Sequence, residues 1–255
     1  MSNLSYLGIK TIIIFQIKNF LKEFQFNIIA PLINTLLFVL ILSTINRYYS
    51  FNQNNYSYIN FLVPGILIAG IFQTSFNHLS EVIISMKQVG SFSDFLISPI
   101  SRIEIYISFI ISSIVVSLIV ALINYMALYY FINIDQVNYF SFFYYLLISI
   151  IIFSSFGAII GLLSFTWDVS SSVSNFFIIP VSLLSGTFFS LDIVSEKLKF
   201  LFTYNPFYYL VNGFRGSFLS NYKISLTNDL YILLILFITL LVSIYIFNKG
   251  YKVIN

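Results

Sequence analysis

The chain has 255 residues, 59% of them hydrophobic and 8% charged, where an ordinary soluble domain carries about 25% charged residues, and its mean hydropathy is +0.94. This is the composition of an integral membrane protein, and a net charge of +3 that arises from so few charges gives no nucleic-acid-binding surface. The absence of cysteine excludes disulfides, thiolate metal sites and cysteine nucleophiles, and a single histidine, His78, excludes a multi-histidine metal centre.

Residues 1–25 read as an amphipathic helix. Ile13, Ile17, Phe20, Leu21 and Phe24 share one arc of the helical wheel, while Lys18, Asn19, Lys22 and Gln25 share the other. Such a segment lies in a membrane interface, as a lever or as a passive anchor.

Residues 26–255 then form a transmembrane domain. Six apolar runs approach the roughly 20 residues that a bilayer requires. They fall near Phe26–Ile45, Tyr58–His78, Ile103–Phe131, Phe142–Phe165, Val169–Phe189 and Leu230–Asn248. Only Thr166, Trp167 and Asp168 separate the fourth from the fifth, and a tight turn capped by Asp168 is expected there. An even number of spans puts both termini on one side. Lys10, Lys18, Lys22, Lys87, Arg102, Lys249 and Lys252 mark that side as cytoplasmic, against Arg47, Lys197, Lys199, Arg215 and Lys223 opposite.

A capped knuckle separates the second and third spans. Ser91 and Asp94 have capping-box spacing, which predicts a short helix with Phe92, Phe95 and Leu96 on one face, stopped by Pro99. Ser101 and Glu104 repeat the device at the start of the third span. A rigid knuckle outside the membrane is shaped to be gripped by a partner or to dip into lipid headgroups.

Polar residues within the spans are mostly small. Gly157 and Gly161 form a GxxxG pair in the fourth span, and Ser171, Ser174, Asn175, Ser182 and Ser185 follow helical spacing along the fifth. Gln73 and Asn77 share a face of the second span, with His78 beside them. Close helix packing and the polar lining of a substrate path are both consistent with these patterns.

Between the fifth and sixth spans, Asn205 and Pro206 read as an N-cap followed by proline at the first helical position. With the apolar stretch through Leu198 and Phe202, they predict two short helices in a hairpin that re-enters the outer leaflet. The fold class is therefore all-α: six spans, an N-terminal interfacial helix and a re-entrant hairpin between spans 5 and 6.

No phosphate-binding loop, HExxH or GxSxG motif occurs, so no catalytic residue, cofactor site or metal site is expected in this chain. Asp94, Glu104, Asp168 and Asp192 sit at expected helix ends, where capping accounts for them. Energy for any active transport would come from a partner.

Three stretches carry a resemblance. They are Phe61-Leu62-Val63-Pro64-Gly65; Gly90 through Pro99 with Arg102; and Ser185-Gly186-Thr187-Phe188-Phe189 followed by Asn205-Pro206-Phe207-Tyr208-Tyr209-Leu210 and Arg215. In order and spacing they resemble the permease subunit of ABC-2 type transporters, an exporter family that includes polysaccharide, lipo-oligosaccharide and drug-export permeases. The resemblance implies that Gly90, Ser91, Phe92, Asp94, Phe95, Leu96, Pro99, Arg102 and Glu104 form a loop docking on a separate cytoplasmic ATPase, which would bind ATP and Mg. It implies that Asn205, Pro206, Tyr208, Tyr209 and Arg215 belong to re-entrant helices. The chain would pair with a second copy of itself or a related permease in a cell inner membrane, and move a lipid-linked saccharide, drug or other amphipathic substrate outward. Lys87-Gln88 departs from the Arg-Glu pair often found in the family, and Ile193-Val194-Ser195 lacks a common proline. A haem-exporter-like permease of cytochrome c maturation and a non-transporting membrane assembly protein stand as alternatives.

Overall fold

A computed structural model describes residues 2–49, 52–53, 56–131, 137–188, 194–219 and 226–250. Helix α1, Ser2–Lys22, passes through one π turn, Gln25–Ile29, into α2, Ala30–Tyr49. Two-residue strands, Asn52–Gln53 and Tyr56–Ser57, pair before α3, Tyr58–Val89. Next come α4, Ser91–Ile97, α5, Arg102–Leu128, and α6, Tyr139–Leu163. The fifth span is segmented into α7, Trp167–Val173, and α8, Ile179–Ser182, with π turns at Ser174–Ile178 and Leu183–Thr187. The last elements are α9, Glu196–Thr203, α10, Pro206–Gly216, and α11, Leu226–Lys249.

Six helices are long and apolar enough to cross a membrane: Gln25–Thr44, Tyr58–Val89, Arg102–Phe131, Tyr139–Leu163, Trp167–Thr187 and Thr227–Lys249. They fall where the apolar runs of the sequence place them, with one difference. The second does not stop at His78 but continues to Val89, a helix of 32 residues. At 1.5 Å per residue it is about 48 Å long, well beyond an apolar core of about 30 Å. Residues 79–89, which read in sequence as part of a polar loop, are therefore the far end of α3, in a helix longer than an apolar core requires.

The centre of the bundle is α3 against α6, running parallel. Gly157 and Gly161 let them touch: a Cβ at Gly157 would fall 2.3 Å from the Phe76 carbonyl oxygen, and one at Gly161 would fall 3.0 Å from that of Ser80. Phe72 stacks on Phe153 at 4.2 Å. Helix α5 joins this pair through hydroxyls, Ser75 to Ser117 at 2.9 Å and Ser113 to Ser154 at 2.6 Å. Helix α11 closes the side, with Tyr145 donating to Asp229 at 2.7 Å and Tyr106 bonded to Ser243. Small side chains thus bring backbones close, and each buried hydroxyl pair satisfies two polar groups at once.

Helix α1 packs on the bundle along one edge and leaves part of its apolar arc exposed. Ile12, Gln16 and Phe20 are buried, whereas Leu21 and Phe24 are 43% and 47% exposed. The docking partner explains this. A Cβ at Gly8 would fall 2.5 Å from Ile100, and Thr35 of α2 donates to Asn124 at 2.7 Å, so α1 and α2 lie end to end along α5 on the Gly8 side of the helix.

Pro180 accounts for the broken fifth span. It has no N–H to donate back one turn, and the helix relaxes into a π turn just before it. Ser185 (φ −87°, ψ 20°) and Gly186 (φ 72°) then leave the helical region and end the span.

Candidate functional site

Three features stand out from the bundle, and the first binds together sequence stretches far apart in the chain. Asn205 caps α10, accepting from the Phe207 N–H at 3.0 Å, while its amide donates to the Ser185 hydroxyl at 3.2 Å. The turn this creates brings Arg215 inward, where it is fully buried. Its Nε donates to the Phe61 carbonyl at 2.9 Å, one terminal nitrogen to Asn212 Oδ1 at 2.9 Å, and the other to the Gly186 and Thr187 carbonyls at 2.8 and 3.2 Å. Gly65 makes room, since a Cβ there would lie 2.8 Å from the Thr187 oxygen and 2.9 Å from the guanidinium. Tyr208 packs its ring on Gly186, and Tyr209 donates to the Thr203 carbonyl at 2.8 Å. A planar fork of donors is the group suited to gather several carbonyls at a helix break. The segments at 61–65, 185–188 and 205–215 are thus one knot, with Arg215 at its centre.

The second feature is at the opposite end of the bundle. Gly90 (φ 81°) turns the chain directly from α3 into α4. The Ser91–Asp94 capping box does not form, because Gly90 itself occupies the cap position and leaves Ser91 inside the helix, its hydroxyl donating to the Met86 carbonyl at 3.4 Å. The Ser101–Glu104 box does form, with both reciprocal bonds present. Phe92 does not face outward: it is 3% exposed and packs on Phe247 at 6.0 Å. Phe95 is half-buried against Phe109 at 6.2 Å. The Leu96 side chain lies outside the described residues. The apolar face of α4 is therefore the one that fastens it to α5 and α11, and the exposed surface is made by Ser93, Asp94, Pro99, Val89 (81% exposed) and Ile97 (82% exposed). Arg102 adds a clasp, donating to the Asn248 carbonyl at 2.5 Å.

Lys87 holds this end rigid. Its ammonium is buried and donates to the carbonyls of Gly161, Leu162 and Ser164 at 3.0, 2.5 and 2.8 Å, closing the C-terminus of α6 where the helix dipole is negative. Gln88 accepts from Trp167 Nε1 at 2.6 Å. Lys87 and Gln88, one of the two departures from the resemblance, therefore tie α3 to the turn between α6 and α7.

The third feature is a polar cleft of about 90 Å³ between α3 and the fifth span. Gln73, Asn77 and Glu81 line it from α3, one helical turn apart. Ser170, Ser171, Ser174 and Asn175 line it from the other side, with Trp167 at its edge. The Ser174 hydroxyl is buried and has no hydrogen-bond partner among the described residues. Ser182 and Ser185 are not part of it; their hydroxyls bond back to the carbonyls of Ile179 and Val181. Of the polar residues singled out in the sequence, five meet here. Glu81, Trp167 and Ser170 escape that reading, although Glu81 continues the face begun by Gln73 and Asn77 at intervals of four residues.

Comparison with known proteins agrees with this architecture. Three curated relatives, each an inner membrane transport permease YadH, from Escherichia coli K12, Escherichia coli O157:H7 and Shigella flexneri, are 21% identical to the chain over 219 residues, covering 86% of the chain and 86% of each relative. The model of the ABC-2 type transporter family matches residues 8–219, which take in the α4 knuckle, the polar cleft and the Arg215 knot together. The chain belongs to the ABC-2 type transporter family.

Proposed function

We propose that this protein is the membrane-spanning permease of an ATP-driven exporter, without catalytic activity of its own, seated in a cell inner membrane with its termini and α4 on the cytoplasmic side. One observation carries the reading: α3, longer than an apolar core requires, delivers a short helix whose inner face is locked and whose outer face presents Val89, Ser93, Asp94 and Ile97. A separate ATPase, holding ATP and Mg, docks on that outer face. Its movement passes to the bundle through Phe92, Phe247 and the Arg102–Asn248 clasp.

A second copy of the chain covers the open side of the polar cleft, because exposed Ser171 and Asn175 facing lipid would leave amide and hydroxyl groups without partners. The cleft then lines a path for an amphipathic substrate. Helices α9 and α10 form a hairpin that re-enters the outer leaflet and closes the far end of the path. The buried setting of His78, edge-on to Phe20 at 5.5 Å, offers no open ligand to a haem and disfavours a haem-exporter reading.

The test is co-purification of a co-expressed ABC ATPase with the wild-type chain, with Ile97→Ala, with Val89→Ala and with the double variant. Reduced recovery of the ATPase with intact membrane insertion is expected. Undiminished recovery in the double variant would exclude α4 as the docking element.

A further inference from the structure

The polar cleft has an electrostatic sign. The one acidic or basic side chain lining it is that of Glu81, and among the described residues neither Glu81 nor Glu23 forms an ion pair. Glu23, in the connection from α1 to α2, lies within electrostatic reach of Glu81. No lysine or arginine lines the cleft. Counted from Tyr58, Glu81 lies just beyond the about 20 residues that span the apolar core, so it stands at the mouth of the cleft on the α4 side.

The neutral lining has a complementary character. Asn77, Gln73 and Asn175 offer amide oxygens, the buried Ser174 hydroxyl still lacks a partner, and the indole of Trp167 is fixed at the rim by its bond to Gln88. A carboxylate, an aromatic ring and several oxygen acceptors together form the surroundings that an organic cation prefers, whereas an anionic headgroup meets repulsion. The volume of about 90 Å³ suits a headgroup rather than a whole amphiphile, whose tail would remain in lipid or between subunits.

We propose that Glu81 and Trp167 form a charge filter at the mouth of this cleft, which admits amphiphiles with a positively charged headgroup, such as a protonated amine or quaternary ammonium, and rejects anionic ones. This deepens the exporter reading and rests on it for the word substrate, but the binding it predicts requires neither ATP nor a partner.

The chain supplies its own reporter, because Trp167 is its single tryptophan. The full chain in dodecyl maltoside micelles at a mildly alkaline pH, which keeps carboxyl groups ionised, would be titrated with dodecyltrimethylammonium or, separately, with dodecyl sulfate held at low mole fraction, following Trp167 emission. The two probes share a tail and differ in headgroup charge. The overall charge of +3 favours the anionic probe non-specifically, so a cation preference cannot come from bulk attraction. The cationic probe is expected to act at about tenfold lower concentration, the combined preference of a water-screened carboxylate and an aromatic face. Glu81→Gln should bring the two probes within about twofold of one another, and Glu81→Asp should keep the preference. Equal response of the wild-type chain to both probes, or a preference that survives Glu81→Gln, would overturn the filter. A cation preference without ATP-driven transport would leave the filter standing and sink the exporter reading, and transport without preference would do the reverse.

Discussion

The guanidinium of Arg215 lies 3.6 Å over the ring of Phe61 and donates through Nε to the carbonyl of the same residue. One side chain thereby holds the first turn of α3, the broken end of the fifth span and α10. Arg215→Ala strands the carbonyls of Gly186 and Thr187 and removes a second donor from that of Phe61, at about 1–3 kcal/mol for each acceptor left unsatisfied. Arg215→Lys restores the charge but not the fork, and is expected to recover little of the loss. The thermal midpoint of the purified chain measures both. A lysine variant as stable as wild type would show that charge alone secures the knot.

Phe92 and Ile97 occupy one short helix and should fail in opposite ways. Phe92→Ala opens a cavity beside Phe247 and is expected to cost about 3–5 kcal/mol of stability. Ile97→Ala removes an exposed side chain and should leave the thermal midpoint within experimental error while weakening ATPase recovery. If Phe92→Ala were stable and lost the ATPase instead, the orientation of α4 would be reversed from that described.

Gly157→Ala places a methyl group 2.3 Å from the Phe76 carbonyl oxygen, a backbone atom that cannot swing aside. Helices α3 and α6 must separate, at an expected cost of about 1–3 kcal/mol. Gly90→Ala meets no neighbour but must hold φ at 81°, so a smaller loss of about 1 kcal/mol is expected from backbone strain alone. Reversal of that order in denaturation midpoints would mean that the α3–α6 contact is looser than the geometry shows.

The side of the membrane that α4 faces can be read chemically. With no native cysteine, Ser93→Cys creates one exposed thiol on the outer face of α4. An impermeant maleimide should label it only after the cells are opened. Labelling in intact cells would place α4 outside and invert the proposed orientation. Ser93 is the better site than Phe92, whose burial would mask the result.

Apolar runs made the six spans legible in the sequence, because a bilayer imposes length and hydropathy on each segment separately. Asn205-Pro206 and Ser101/Glu104 were legible too, since their caps are local chemistry. The facing of α4 was not. Phe92 reads as an exposed anchor until α11 returns from more than a hundred residues later and sets Phe247 against it. The extension of α3 past His78 was hidden for a related reason: Glu81, Lys87 and Gln88 look like loop residues, yet Lys87 is buried under the carbonyl end of α6. In the cleft, the spacing of Gln73 and Asn77 pointed to the correct face of α3, and a strict count by fours would have reached Glu81. Trp167 could not be placed from its neighbours, because its role depends on a bond to Gln88 across the bundle.

The clasp between Arg102 and the Asn248 carbonyl, with Phe247 packed under Phe92, has a practical corollary for anyone purifying the protein. The end of α11, at Asn248 and Lys249, therefore lies beside the face of α4 proposed above to dock the ATPase. An affinity handle or fluorescent fusion joined close after Lys249 would crowd that proposed face, and a handle inserted at the far end of the bundle, away from α4, is the safer design.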